Sequence, residues 1–566
     1  MSTPCNVLVV SDFNAELVSR YISADRTMPA CAATSAPYGQ VFQVLSSDGA
    51  AAPGSVALIW TRPEGVIPEY AKLLAGHQSE PARLDAEVDA FAAMIRTFAK
   101  RCKYVFVASW AATFHDRGLG LLSWSRQGAA GLLARMNLRL AEQLGGAADV
   151  FMLDSQRWID ASDNPRDRKS WYLAKAPFTE KVCKAAAQDV KSALRTASGQ
   201  NRKLVVVDLD DTMWGGIVGD DGWENLRLGG HDHVGEAYAE FQSVLKTLVN
   251  RGIAVAVVSK NDEAVALEAI AQHPEMIIRK DDLAAWRINW KDKAQNIAEL
   301  VEELNLGLQS VVFIDDNPIE RGRVREALPE VLVPEWPGDP SKYADALRQL
   351  DCFDRASITT EDRERTRMYV QERERRDSLT VASSPEDWQA SLGVRVHAAP
   401  VSASNVKRIV QLMNKTNQLN LRTRRTTEKE LFQWLEEGHN RNLAAVTVSD
   451  RFGDLGLTGI VSWEQVGAAI EIVDYVLSCR AMGRRVEDLM VHLAAQAASR
   501  AGCDTVNARL IPTAKNRPCL EFWQNSGFTD AGDNVFVWNT ATDYPKPAFI
   551  TLENDVAPAA PMAAAI

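Results

Sequence analysis

The chain has 566 residues, 46% of them hydrophobic and 24% charged, with a formal net charge of -11. At roughly 100 to 200 residues per domain, that length predicts three cores, and the acidic balance excludes general nucleic-acid binding, which needs a basic face. Eight scattered cysteines without a C-x-x-C pair suggest neither a zinc site nor a disulfide framework. The apolar run at 7–10 is too short for a signal peptide, and no later stretch approaches a membrane span. The expectation is a cytoplasmic protein with no membrane and no nucleic-acid partner.

Residues 1–200 read as α/β: VLVV, SVALIW and YVFVAS are short apolar runs separated by amphipathic stretches. VVSDFN (9–14) faintly resembles the start of SGNH-type hydrolases, with Ser11 at their nucleophile position and Asn14 nearby. Those enzymes need a late histidine to deprotonate the serine, and none occurs between His115 and His231. This part is therefore expected to be a non-catalytic docking or scaffolding domain.

The polar stretch TASGQNRK opens a second α/β unit, 201–355, with strands LVVV, IAVAVV and SVVF. The charged segment 361–377 carries Glu361/Arg365 and Glu372/Arg376 at helical i,i+4 spacing and predicts a solvated connecting helix within 356–385. A third unit, 386–550, follows, with strands in LAAVTVSD and AAIEIVDYVLSC and a helix over 485–501. The end, 551–566, is expected to be disordered.

The chemistry concentrates where three apolar strands of the second unit end. LVVV runs into Asp208, Asp210 and Thr212; IAVAVV runs into Ser259; SVVFI runs into Asp315 and Asp316. Loops after such strands are where open α/β sheets bind ligands. A hard cation such as Mg²⁺ takes oxygen ligands, which Asp208, Asp315, Asp316 and Asp210, the last through a nearby backbone carbonyl, can supply. Lys293 would neutralise phosphoryl oxygens, with Lys291 as its competitor, and Ser259 would hold one of them. Asp208 then attacks phosphorus, and Asp210 protonates the leaving oxygen and later deprotonates water. Only 51 residues separate Asp208 from Ser259; they hold a predicted hairpin, WGGIVGDDGWENLRL, and a helix, leaving no room for a large cap.

D-x-D-x-T, the serine, the lysine and the acidic pair, in this order, resemble the haloacid dehalogenase (HAD) superfamily. DLDDTMWGGIVGDDG, VVSKND, RINWKDKAQNI and FIDDNPIERGRVR, followed by QLMNKTNQLNLRTRR, DRFGDLGLTGIV, LSCRAMGRRVE and PTAKNRP, resemble the FkbH-like glyceryl transferase/phosphatases over about 203–528. The resemblance implies Mg²⁺ as cofactor, and transfer of a glyceryl unit from 1,3-bisphosphoglycerate to the phosphopantetheine thiol of an acyl carrier protein, with loss of phosphate, for polyketide biosynthesis. The alternatives are a small-molecule Mg-dependent phosphatase and transfer of another phosphorylated short acyl unit.

The third unit resembles the GNAT acetyltransferase fold, α+β, with Arg480 and Gly483 in its phosphate-binding turn and Arg485 in place of a final small residue. Arg484, and Asn516 in PTAKNRP, join Arg480 and Gly483 as candidate binding residues. Trp523 stands where many such enzymes have a tyrosine acid. Cys479 lies beside Arg480 and just before a helix; both features lower a thiol pKa, making it a candidate acyl carrier, against the reading of a buried structural cysteine. His231 and His233 are expected at the surface or in caps, His492 in packing, and Cys352 in the core.

Overall fold

The computed structural model describes residues 4–47, 49, 52, 54–114, 120–147, 149–230, 232–304, 306–355, 367–373, 375, 384–438, 440–513 and 515–556. Two compact units result, one of Met1–Lys280, Arg287–Ala298 and Gly307–Arg363, the other of Asp281–Trp286, Glu299–Leu306 and Glu364–Ile566. No helix among the described residues is long and apolar enough to cross a membrane.

The chain opens with five strands, β1 (Cys5–Val10), β2 (Cys31–Ser35), β3 (Val56–Ile59), β4 (Tyr104–Ala108) and β5 (Val150–Leu153), in the order β2-β1-β3-β4-β5. Every pairing is parallel. Parallel strands covered on both faces read as continuous apolar runs, and β3 is buried throughout. Ser11, past β1, is buried and its Oγ accepts from the Phe13 amide at 3.1 Å; Asn14 Oδ1 accepts from the Glu16 amide.

Next come β6 (Leu204–Val207), β7 (Ala254–Ser259), β8 (Leu283–Ile288) and β9 (Val311–Ile314), forming a sheet of order β8-β7-β6-β9. β6 lies parallel to both β7 and β9, which puts the carboxyl ends of all three strands at one edge. Helices His233–Asn250, Glu263–Gln272 and Pro318–Ala327 are capped by Asp232, Asp262 and Asn317, whose side chains accept from the free amides of the first turn.

The second unit is built on a mixed nine-stranded sheet: β10 (Arg395–Ala399), β11 (Leu419–Asn420), β12 (Arg441–Asp450), β13 (Gly453–Val466), β14 (Ala469–Leu477), β15 (Thr505–Arg509), β16 (Thr529–Asp530), β17 (Val535–Asn539) and β18 (Thr551–Asn554). The long antiparallel meander β12–β14 and the helix Val486–Arg500 enclose its core. The architecture is therefore α/β with an α+β second unit, as expected.

Three expectations need correction. The sequence 214–228 makes no hairpin: amides of Gly216, Ile217 and Val218 are taken by the side chains of Asp211, Asp221 and Asp210, so local carboxylates outcompete a ladder. A helical turn, Val218–Asp221, and a single bridge, Gly215 to Arg227, stand in its place. The disordered end does not begin at 551, because β18 pairs in parallel with β10. The charged segment lies largely outside the described residues, and in its described part, otherwise exposed or half-buried, Arg375 is not solvated: it is buried and forks onto buried Asp450 at 2.7 and 2.9 Å.

Candidate active site

Asp208 directly follows β6, and the parallel register brings Asp315 and Asp316 after β9 and Ser259 at the end of β7 to the same sheet edge. Lys293 begins the helix Lys293–Glu303. Its ammonium lies 2.9 Å from Asp208 Oδ2 and 2.6 Å from Asp315 Oδ2. Lys291 is exposed, whereas Lys293 is 3% exposed; the lysine of the site is Lys293. Burial opposes its charge, but the Asp208 and Asp315 carboxylates outweigh that and hold its pKa above the ordinary lysine range.

Asp208, Asp315 and Asp316 offer oxygens that all lie within 4.8 Å of one another. Burial first, and the Asp208 charge second, push Asp315 upward despite Lys293. Asp208 Oδ1 is buried without a hydrogen-bond partner, and an orphaned buried carboxylate oxygen is costly. Three carboxylates against one ammonium leave negative charge to be offset, and the donors are all hard oxygens. The residues present fit a divalent cation of the magnesium type.

The Asp210 side chain stands outside that carboxylate group. Its Oδ1 accepts from Trp214 Nε1 at 2.9 Å and the Val218 amide at 3.1 Å, and its Oδ2 from Asn261 Nδ2 at 2.8 Å. Any contribution to a cation falls to its backbone carbonyl. Burial raises its carboxyl pKa against these donors, which favours the protonated form that an acid needs. Thr212 is fully buried and exchanges two hydrogen bonds with Asp316: its Oγ1 lies 3.0 Å from Asp316 Oδ1 and accepts from the Asp316 amide at 3.1 Å. Ser259 is buried, with its carbonyl accepting from the Asn289 amide.

Several residues of the site had no assigned role in the sequence. Arg321, one helical turn past Asp316, donates to the carbonyls of Asp315 and Asp316 at 2.7 and 2.6 Å and fixes the acidic loop. Asp211 adopts φ 51°, and the hydroxyls of Tyr238 and Tyr343 both donate to its carbonyl. Gly215 is required sterically: a Cβ there would come within 2.9 Å of the Tyr238 ring. Spacing in FIDDNPIERGR could have found Arg321; nothing local points to Tyr238 or Tyr343.

The second unit's candidates are internally engaged. Arg484 is buried, donates to the carbonyls of Arg480 and Met482 and pairs with Glu372 at 2.8 Å. The Gly483 amide donates to Glu487 Oε1 at 2.7 Å. Asn516 is buried and cross-links the carbonyls of Asn420 and Ile511. Both Arg484 and Asn516 thus have internal partners in the fold. Arg480 donates to Ser478 Oγ at 3.4 Å. Arg485, the departure from a small residue, sits at φ 61°, which explains why a small residue suits that place, and its guanidinium pairs with Asp488. The side chain of Cys479 and the whole of His231 lie outside the described residues. His233 is exposed in the first turn of its helix, and His492 Nδ1 meets the Tyr544 carbonyl. Cys352 is partly buried, its thiol pushed up to about 12 by burial.

Among solved structures, the chain is similar to the N-terminal part of a Bacteroides fragilis protein containing a phosphatase domain complexed with Mg, at 27% identity, a TM-score of 0.56 and coverage of 62% of this chain and 95% of that one. The GNAT domain of a Streptomyces lividans protein aligns at 15% identity and a TM-score of 0.21 over 25% of this chain and 89% of its own. An N-acetyltransferase from Staphylococcus aureus aligns at 14% and 0.21, over 26% and 98%. No family model matches the chain, and no curated protein does.

Proposed function

We propose that the chain is a magnesium-dependent phosphatase or phosphotransferase with Asp208 as nucleophile. The observation that carries this reading is the buried Asp208, one oxygen held by Lys293 and the other unpartnered, in a group of oxygens with Asp315 and Asp316. Magnesium bound there by Asp208, Asp315 and Asp316 would supply positive charge against the phosphoryl oxygens. Asp208 attacks phosphorus and the bond to the leaving oxygen breaks, giving an aspartyl-phosphate that water then cleaves. Lys293 keeps the carboxylate ionised and balances the incoming phosphoryl charge. Asp210 supplies the leaving oxygen's proton and afterwards takes one from water, once it turns from Asn261.

The finer proposal is that the substrate is 1,3-bisphosphoglycerate and the acceptor the phosphopantetheine thiol of an acyl carrier protein, which receives the glyceryl unit while phosphate is lost. The motif resemblance across both units supports it, and the short insert after Asp208 suits an extended substrate. A second reading, a small-molecule phosphatase, is favoured by the internal engagement of Arg484, Gly483 and Asn516. Intact-mass analysis of a phosphopantetheinylated carrier incubated with the chain, magnesium and 1,3-bisphosphoglycerate separates them. Transfer predicts a glyceryl adduct, which keeps its phosphate with Asp208→Asn. Phosphate release without any adduct would leave the simpler phosphatase.

A further inference from the structure

Away from the phosphoryl site, the β1–β5 sheet gathers two thiols and a buried ammonium. Cys5 and Cys31 are the first residues of β1 and β2 and stand directly opposite one another in the parallel ladder. Neighbouring strands lie about 4.8 Å apart, inside the Cα separation of about 4.4–6.8 Å that a disulfide bridges. Opposed residues of a ladder also project from the same face. Both cysteines are free, and Cys5 Sγ donates to the Asn6 carbonyl at 3.9 Å. Among the described cysteines, no other two are paired in a strand register.

The surroundings treat the two sulfurs differently. Cys31 is buried, and its Sγ donates to the Pro29 carbonyl at 3.3 Å. Lys191 Nζ donates to that same carbonyl at 2.6 Å and to the carbonyls of Thr27 and Asp25 at 2.7 and 3.3 Å, from a side chain with no exposure. Cys5 is partly exposed. The neighbouring Cys31 thiol, with help from the Lys103 and Lys191 charges, overcomes burial and brings the Cys5 thiol down to about 7, while the neighbouring Cys5 and burial push Cys31 far up. Burial, the largest cause at each, raises Cys102 to about 11 and Cys183 and Cys519 to about 12. The thiolate is the nucleophile, so Cys5 is the attacking sulfur and Cys31 the resolving one.

We infer that Cys5 and Cys31 are a redox modification site, forming a reversible disulfide by exchange with a low-molecular-weight disulfide. The Cys5 thiolate attacks one sulfur of that disulfide, making a mixed disulfide and expelling one thiolate. Cys31 gives up its proton and attacks the Cys5 sulfur, expelling the second thiolate. The two cysteine protons end on the two released thiols; the protein is oxidised by two electrons and the small disulfide is reduced. The bond staples β2, an edge strand, to β1.

The test uses the full chain equilibrated with oxidised and reduced glutathione, alkylated and analysed by intact mass and peptide mapping. The expected product is two hydrogens lighter than the reduced chain, with Cys5 linked to Cys31. Cys31→Ser should hold one glutathione on Cys5, and Cys5→Ser should show neither linkage nor adduct at Cys31. Eight alkylatable thiols at every glutathione ratio, or glutathione settling on other cysteines in preference, would overturn the assignment. If either variant fails to fold, the wild-type map still decides between these outcomes.

Discussion

Removing the Lys293 ammonium would leave the carboxylates of Asp208 and Asp315 facing each other with no cation between them. Breaking a buried ion arrangement by deleting one partner costs about 3–5 kcal/mol. Lys293→Met should therefore lower stability by that order in urea unfolding, and added magnesium should restore part of the loss by balancing the same charge. Asp208→Asn acts differently: it relieves repulsion within the acidic group while deleting the nucleophile. It should leave the melting temperature unchanged or raised and reduce phosphate release by about a thousandfold or more. The residue types and their order at strand ends pointed to Asp208, Thr212, Ser259, Lys293, Asp315 and Asp316, because each sits in a motif local in sequence. The partners of Asp210 were not readable. Trp214 and Asn261 reach it only after two separate loops fold together, and spacing along one loop says nothing about the other.

At the scale of elements, the helix His233–Asn250 depends on its first residues. Asp232 accepts from the amides of Val234 and Gly235 and pairs with Arg227; the Arg227 hydrogen bond and those amides bring its carboxyl down to about 2 from 3.8. A depressed folded-state value gives stability that is present above pH 3.8 and fades as pH falls through 2. Asp232→Asn keeps a capping oxygen but removes the charge. Its urea midpoint should sit below wild type at pH 5, and the two should converge by pH 2. In the second unit, Thr427 and Glu430 form a reciprocal capping box at Glu428–Glu436, so Thr427→Ala should cost about 1 kcal/mol of stability. The strands were legible as apolar runs, including LVVV to the residue. The loop 214–228 was not, because its glycines and turn residues match a hairpin equally well, and only the convergence of Asp210, Asp211 and Asp221 on three successive amides decides otherwise.

For the molecule as a whole, three sheets were legible from the alternation of apolar and amphipathic stretches, whereas the burial of Arg375 in the charged segment after 355 was not. Helical spacing of opposite charges is the same for a solvated helix and for one whose arginine is buried. Arg375 with Asp450, and Arg484 with Asp450 and the partly exposed Glu372, make a neutral network inside the second unit. Arg375→Met would take the forked guanidinium from the buried Asp450 carboxylate, leaving Arg484 at 3.7 Å as its remaining cation. The expected loss, about 3–5 kcal/mol, should appear as an early unfolding transition in the second unit, read from hydrogen exchange along β12 and the helix Val486–Arg500.

Glu487 gives the turn at Arg480–Arg484 a resident occupant. Its carboxylate, largely buried and raised in pKa chiefly by that burial, already holds the Gly483 amide. An external anion reaching for that amide meets a competitor whose local concentration dilution cannot reduce. Its apparent affinity is scaled down by the fraction of molecules in which Glu487 has let go. That fraction grows as the side chain protonates, so anion binding at this turn should strengthen with acidity, the reverse of what titrating a phosphate's own second proton would produce.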